Sequence, residues 1–298
     1  MPLRAAALLA LVACGSSAPP VAPSNKAPAP SYAAALDDWL GFLPVDSELV
    51  VGIDSSQIRK TQVWSELLPK IEKGMGRDLD ELRAACGFDP FQTVERVSVG
   101  LRAIDRDKLV GVVVVHGVGA GMMGCVRSHF GKGGAVVDDK GVLVMDTHPD
   151  MRTAWTVIGT TLIVQLDPQA GHDSMQAVLA SGSPLRGSQA FMALYGGLEK
   201  GASLWGVING SSKMFEEFGA MRPRNTKGTI QVSDRIVIGG DAIFDTEDVA
   251  KQVEALVKAT FQQVHAYIES GDTQVDGGKL VIKAVIGPVQ LQQILSFL

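Results

Sequence analysis

The residues with the most chemical promise in this sequence are glycines. Gly119-Ala120-Gly121-Met122-Met123-Gly124 matches the pattern G-x-G-x-x-G, follows the apolar run Val112–Val115 and precedes a helix-forming stretch. Asp138 stands 19 residues after Gly119. In a dinucleotide-binding βαβ unit such glycines let the backbone approach a pyrophosphate, and the acid holds a ribose hydroxyl. The flanking pattern argues otherwise. Val94–Arg102 reads as a hairpin partner of the preceding strand, and Asp138-Asp139 open a tight turn where a crossover helix and a parallel strand are required. A flexible strand-to-helix connection accounts for the same glycines. The histidines, His116, His129, His148, His172 and His265, show no metal-ligand spacing, and the cysteines show no C-x-x-C. Isolated histidines at strand and helix ends read as surface or satisfied residues. The G-x-S-x-G elbow and the S-x-x-K nucleophile motif are both missing. The paired acids Asp37-Asp38, Asp138-Asp139 and Glu216-Glu217 read as solvated turns or faces. The residues therefore predict no enzyme, no cofactor and no metal.

The remaining reactive residue of note stands near the start. Residues 1–14 read MPLRAAALLALVAC, with Arg4 as the positive region and the nine residues Ala5–Ala13 as an apolar stretch. That stretch is too short for the roughly 30 Å of a bilayer's hydrocarbon, so it predicts an export signal and not a span. Leu11-Val12-Ala13-Cys14 resembles the lipobox of bacterial lipoproteins. The resemblance implies cleavage before Cys14, thioether-linked diacylglycerol on its sulfur and acylation of the new amine. Two or more acyl chains, at about 0.8 kcal/mol per buried methylene, hold firmly where one does not. The partner so implied is a lipid bilayer, reached through acylated Cys14. Gly15, not Asp, follows the cysteine. By analogy with other lipoproteins, this places the chain in the bacterial cell envelope at the outer membrane. Export also removes the chain from the cytosolic nicotinamide pool, a further point against the glycine motif. Residues 15–31 contain five prolines among Ala and Ser. They predict an extended tether of about 3.1 Å per residue.

With Cys14 lipidated, Cys86 and Cys125 remain. In an oxidising compartment they suggest a disulfide, which would close a loop of about 40 residues and add roughly 4 kcal/mol. Two buried free thiols are the alternative.

The chain has 298 residues, 46% hydrophobic and 20% charged, enough to bury a core without metal or disulfide. Formal net charge is −5, and loss of residues 1–13 removes one cation and no acid, giving −6. Nucleic-acid binding, which needs a basic face, is not expected.

Stepping along the elements, a helix is expected over Tyr32–Phe42 and a strand over Glu48–Asp54. A helix opened by Ser55 or Ser56 should follow, facing Ile58, Val63, Trp64, Leu67 and Leu68 inward, and a separate helix should cover Asp78–Cys86. Strands are expected near Val94–Arg102, Leu109–His116, Ala135–Val137, Val142–Asp146, Ala154–Ile158 and Thr161–Leu166, with a helix near Met122–Phe130. A second strand–helix start, SLWGVINGSS from Ser203, parallels ELVVGIDSS from Glu48. Strands at Gly228–Val232 and Arg235–Asp241 follow. A long helix over Thr246–Ser270 shows the stripe Val249, Val253, Leu256, Val257, Thr260, Val264, Tyr267 and Ile268.

The predicted fold class is α+β, in two similar halves, each a mainly antiparallel sheet with helices packed on one face. The predicted segments are a signal peptide (1–13), the lipidated N-terminus and tether (14–34), a first half (35–182) and a second half (183–298). The whole pattern resembles uncharacterised bacterial lipoproteins, a resemblance that supplies no activity. The expected function is a membrane-anchored, non-enzymatic binding or structural role, with an envelope protein as the expected protein partner. One alternative is a carrier of an apolar ligand, held between sheet and helices in a cavity of at least about 300 Å³. The other is an enzyme using the Gly119–Gly124 turn.

Overall fold

The computed structural model describes residues 33–86, 89–105, 108–119, 121–130, 136–148 and 151–296. The lipobox, Cys14 and the tether lie outside the described residues.

In chain order the elements are α1 (Ala33–Asp37), β1 (Leu49–Asp54), α2 (Ser55–Ile58), α3 (Gln62–Cys86), α4 (Pro90–Thr93), β2 (Arg96–Asp105) and β3 (Lys108–His116). Next come α5 (Met122–Phe130), β4 (Val136–Asp139), β5 (Val142–His148), β6 (Met151–Ile158), β7 (Thr161–Leu166), α6 (His172–Ala180) and α7 (Gln189–Gly196). The rest are β8 (Leu204–Asn209), β9 (Asn225–Val232), β10 (Ile236–Ile243), α8 (Glu247–Gln263), β11 (Ser270–Asp276), β12 (Lys279–Ile286) and α9 (Pro288–Leu295).

The twelve strands among the described residues join in one sheet, ordered β11-β12-β10-β9-β8-β1-β2-β3-β7-β6-β5-β4. Every neighbouring pair is antiparallel. The α+β class and the antiparallel halves read from the sequence are what the structure shows. Reading outward from the central β1–β8 pair, one side runs β1-β2-β3-β7-β6 and the other β8-β9-β10-β12-β11. These are the same connection pattern, and β4 and β5 extend the first side. Tight turns make this possible. Asp139 pairs with Val142 across Lys140 and Gly141, both at positive φ, 52° and 88°, the geometry a two-residue hairpin favours.

Residue parity sorts the core onto two faces. On one, Val50, Val112, Val114, Ile163, Trp205 and Val207 meet Leu40, Phe42 and Leu43 of the N-terminal segment, together with Met175 and Leu179 of α6 and Phe191 of α7. This cluster takes residues from both halves. On the other face, Val115, Leu143, Trp155, Leu162 and Val164 pack against Leu79 of α3 and Met122, Cys125 and Val126 of α5. In the second half that face carries α9 through Leu291 and Leu295, and α8 through Val249, Val253 and Val257.

Three elements differ from the sequence reading. The helices expected to be separate form one 25-residue α3, which runs through Pro69. Added Cβ atoms at Gly74 and Gly76 would meet nothing within 4 Å, so no close packing contact breaks the helix there. The long helix stops at Gln263, and a 3₁₀ turn (His265–Tyr267) leads into β11 at Ser270. Its stripe is narrower than expected, packing through Val249, Val253 and Val257. Leu256 is 55% exposed and Tyr267 38%. Lastly, α1 ends at Asp37, and residues 38–43 continue as turns whose Leu40, Phe42 and Leu43 are almost wholly buried.

Candidate functional site

At one end of the sheet, the strand register sets a row of side chains on a single face. Asp54 of β1 pairs with Arg96 of β2, Arg96 with His116 of β3, His116 with Thr161 of β7, and Thr161 with Ile158 of β6. All five line a cavity of about 510 Å³, within the range of small-ligand pockets. Leu36, Asp37 and Trp39 close it from the N-terminal segment, Ser56 from α2, Glu95 from just before β2, and Gly159 and Thr160 from the hairpin turn. Asp37 and Glu95 are exposed at the rim, Asp54 and Arg96 are half-buried, and His116 and Thr161 are buried.

Local folding fixes each group. Asp54 is the N-cap of α2; its Oδ1 accepts from the Gln57 amide at 2.9 Å and from the Ser56 hydroxyl at 2.7 Å. Arg96 donates from Nη2 to the Leu36 carbonyl at 2.7 Å, and its guanidinium lies 5.4 Å from the centre of the Trp39 ring. Gly117 ends β3 at φ 88°, where a Cβ would strike the Thr93 carbonyl oxygen. Its amide and that of Val118 both donate to the Thr160 carbonyl, which ties the β6–β7 turn to the row.

His116 is 6% exposed. Burial, aided by the positive charge of Arg96, lowers its pKa from 6.5 to about 4, so the ring is neutral at pH 7. Nδ1 stands 3.1 Å from the Thr161 hydroxyl and 3.5 Å from Arg96 Nη2. A guanidinium only donates, so Nδ1 accepts and the proton sits on Nε2. That Nε2 is buried and has no hydrogen-bond partner among the described residues. A buried donor without a partner costs about 1–3 kcal/mol.

The carboxylates are in the opposite condition. Among the described residues, no cation lies within 4 Å of Asp37, Asp54 or Glu95. By contrast the adjacent Asp38 is paired. Burial alone would raise its pKa, but hydrogen bonds from Arg186, at 2.6 Å to each oxygen, and from the Leu40 amide lower it. The acids Asp37 and Asp38, expected as one solvated pair, thus serve different ends, one on the cavity rim and one in a clamp.

The sequence-predicted residues fall elsewhere. Gly119–Gly124 does open α5, but β3 is flanked on both sides by antiparallel strands, and Asp138 belongs to β4 in the far-edge hairpin. The parallel βαβ frame that a dinucleotide fingerprint needs is not formed in the described sheet. Cys125 is buried on α5, and α5 packs against α3, the helix that ends at Cys86. No cluster of three or more metal-ligating residues exists among the described residues. His116, expected as surface or satisfied, is neither. The apolar stripe of α8 packs directly on Ala242, Phe244 and Leu280. The lining of the cavity at the other side of the sheet is largely polar, unlike the apolar chamber a carrier was expected to have.

No family model matches the sequence, and no curated protein is significantly similar to it. The class that the architecture defines is an α+β protein built on one long antiparallel sheet, and solved structures of that class exist. Two crystal forms of TP0453 share the fold. Form I aligns with a TM-score of 0.50 at 10% identity, covering 87% of this chain and 97% of that one. Form IV aligns with a TM-score of 0.51 at 8% identity, covering 90% of this chain and all of TP0453. At these identities the likeness is one of fold alone.

Proposed function

We propose that the protein is a lipid-anchored envelope protein whose folded body binds a small polar ligand in the cavity at the Asp54–Arg96–His116–Thr161 row. The observation that carries the binding role is a cavity of about 510 Å³ whose lining brings Arg96, with no carboxylate within 4 Å among the described residues, beside Asp37, Asp54 and Glu95, which have no cation within that distance. A purely apolar ligand suits the site poorly, because it would take water from the charged, half-buried Arg96 and Asp54 without meeting either charge. The anchor rests on the Leu11–Cys14 motif.

Ligand-observed NMR on the full chain in detergent, with a fragment panel spanning neutral, anionic, cationic and zwitterionic molecules, tests the binding role. At least one charge class should give saturation transfer that Arg96→Gln abolishes. Absence of any such fragment, with the fold intact by circular dichroism, overturns it.

A further inference from the structure

The ligand's chemical class can be taken further, on the reading that this cavity is a binding site. Asp54 and Arg96 are strand partners, both half-buried, and opposite charges so placed ordinarily meet. Here the guanidinium nitrogens and carboxylate oxygens stay more than 4 Å apart. Each group is held back by other bonds. Asp54 spends Oδ1 on the Gln57 amide and the Ser56 hydroxyl, while Arg96 spends Nη2 on the Leu36 carbonyl and lies against Trp39. Asp54 Oδ2 and Arg96 Nε and Nη1 have no hydrogen-bond partner among the described residues, and unlike His116 Nε2 they keep solvent-accessible surface. An acceptor that cannot donate and a donor that cannot accept thus stand side by side, both open, in one cavity wall.

We infer that the cavity takes a neutral polyol of the monosaccharide class, one of whose hydroxyls bridges this pair, accepting from the Arg96 guanidinium and donating to Asp54 Oδ2. A hydroxyl does both at a single oxygen. The rest of the lining fits the same class. Asp37 and Glu95 only accept, so the ligand needs further donors pointing in several directions, which the other hydroxyls of a sugar ring supply. Leu36, Trp39 and Ile158 give apolar wall to the ring's C–H bonds. Charged ligands suit the lining less well. An anion would meet a single guanidinium among three carboxylates, and a cation would meet that guanidinium. A zwitterion needs its two charges separated along the cavity, whereas Asp54 and Arg96 are adjacent and equally half-buried.

Saturation-transfer titrations of the full chain in a non-glycosidic detergent, with glucose, galactose, mannose and N-acetylglucosamine as probes, test the class. At least one sugar should bind, and its affinity should change by less than about twofold between roughly 0.01 and 1 M salt, because no ionic attraction is there to be screened. Asp54→Asn keeps a side chain that caps α2, and it should weaken that sugar at least about fivefold, as should Arg96→Gln. Among the monodeoxy analogues of that sugar, the one lacking the bridging hydroxyl should bind the wild type at least about tenfold more weakly, the worth of a hydrogen bond to a charged group, and should lose nothing further in Asp54→Asn. Binding by none of the sugars, binding that salt abolishes, or a bound sugar indifferent to Asp54→Asn overturns the polyol. If no sugar binds while a charged fragment binds through Arg96, the polyol falls and the binding role stands.

Discussion

His116 concentrates the consequences at the scale of single residues. Its pKa is lowered in the folded chain, so the unfolded chain takes up the proton first as pH falls. Its neutral form is therefore fully accommodated above pH 6.5, and stability is lost between 6.5 and about 4. A shift of that size corresponds to roughly 3 kcal/mol. Urea titrations at pH 7 and pH 4.5 should show the drop, and His116→Gln should flatten it; an unchanged slope in the variant would place the titration elsewhere. Asp38 acts in a lower window. Its carboxyl lies below its ordinary 3.8, so the stability it gives is held above that value and fades only under stronger acid. A packing prediction belongs at this scale too. A Cβ at Gly52 would come within 2.2 Å of the Trp205 indole, which pairs across from it. Gly52→Ala should cost about 1–3 kcal/mol in chemical denaturation, the usual range for overpacking. None of this was readable from residue types. His116 looked isolated because its partners stand at positions 96 and 161, and only the strand register makes them neighbours.

Elements tell a different story, because periodicity reports local geometry well and its ends badly. Most of the strands and their turns were legible, since Lys140-Gly141, Gly159-Thr160 and Gly277-Gly278 punctuate alternating apolar runs. Separate helices were expected, one reaching Leu68 and one from Asp78, yet α3 runs through both. Tertiary packing of Val63 and Leu79 at its two ends outweighs weak local preference. On α8 the sequence stripe includes Leu256, but the helix meets the sheet along Val249, Val253 and Val257 only. Leu256→Gln should therefore leave the midpoint of unfolding within about 0.5 kcal/mol, as exposed positions do. Val253→Ala should cost about 1 kcal/mol or more through lost burial. Equal costs at the two positions would mean that α8 is rotated from the orientation described.

At the scale of the whole molecule, the doubled connection order explains why one sheet can be so long. Each half presents its first strand, β1 or β8, as an edge, and the two edges pair with each other. This arrangement was half visible in the sequence, as the parallel between ELVVGIDSS and SLWGVINGSS, while the fusion of the halves into one sheet was not. The anchor gives the prediction proper to this scale. Cys14→Ala should release the protein from the membrane fraction and abolish labelling by palmitate, with the circular dichroism spectrum of the body unchanged; retention on the membrane would remove the lipobox reading. One feature near the start of the body links anchor and cavity. The segment that forms the cavity's cover, residues 36–39, is also the stretch through which the chain enters the fold. It is fastened by the Asp38–Arg186 clamp, by the amide of Phe42 on the Gly182 carbonyl and by Arg96 on the Leu36 carbonyl. A pull on the proposed tether would thus be felt first by the roof of the pocket, before any strand of the sheet takes the load. Occupancy and mechanical tension would then oppose one another along a single short stretch of backbone.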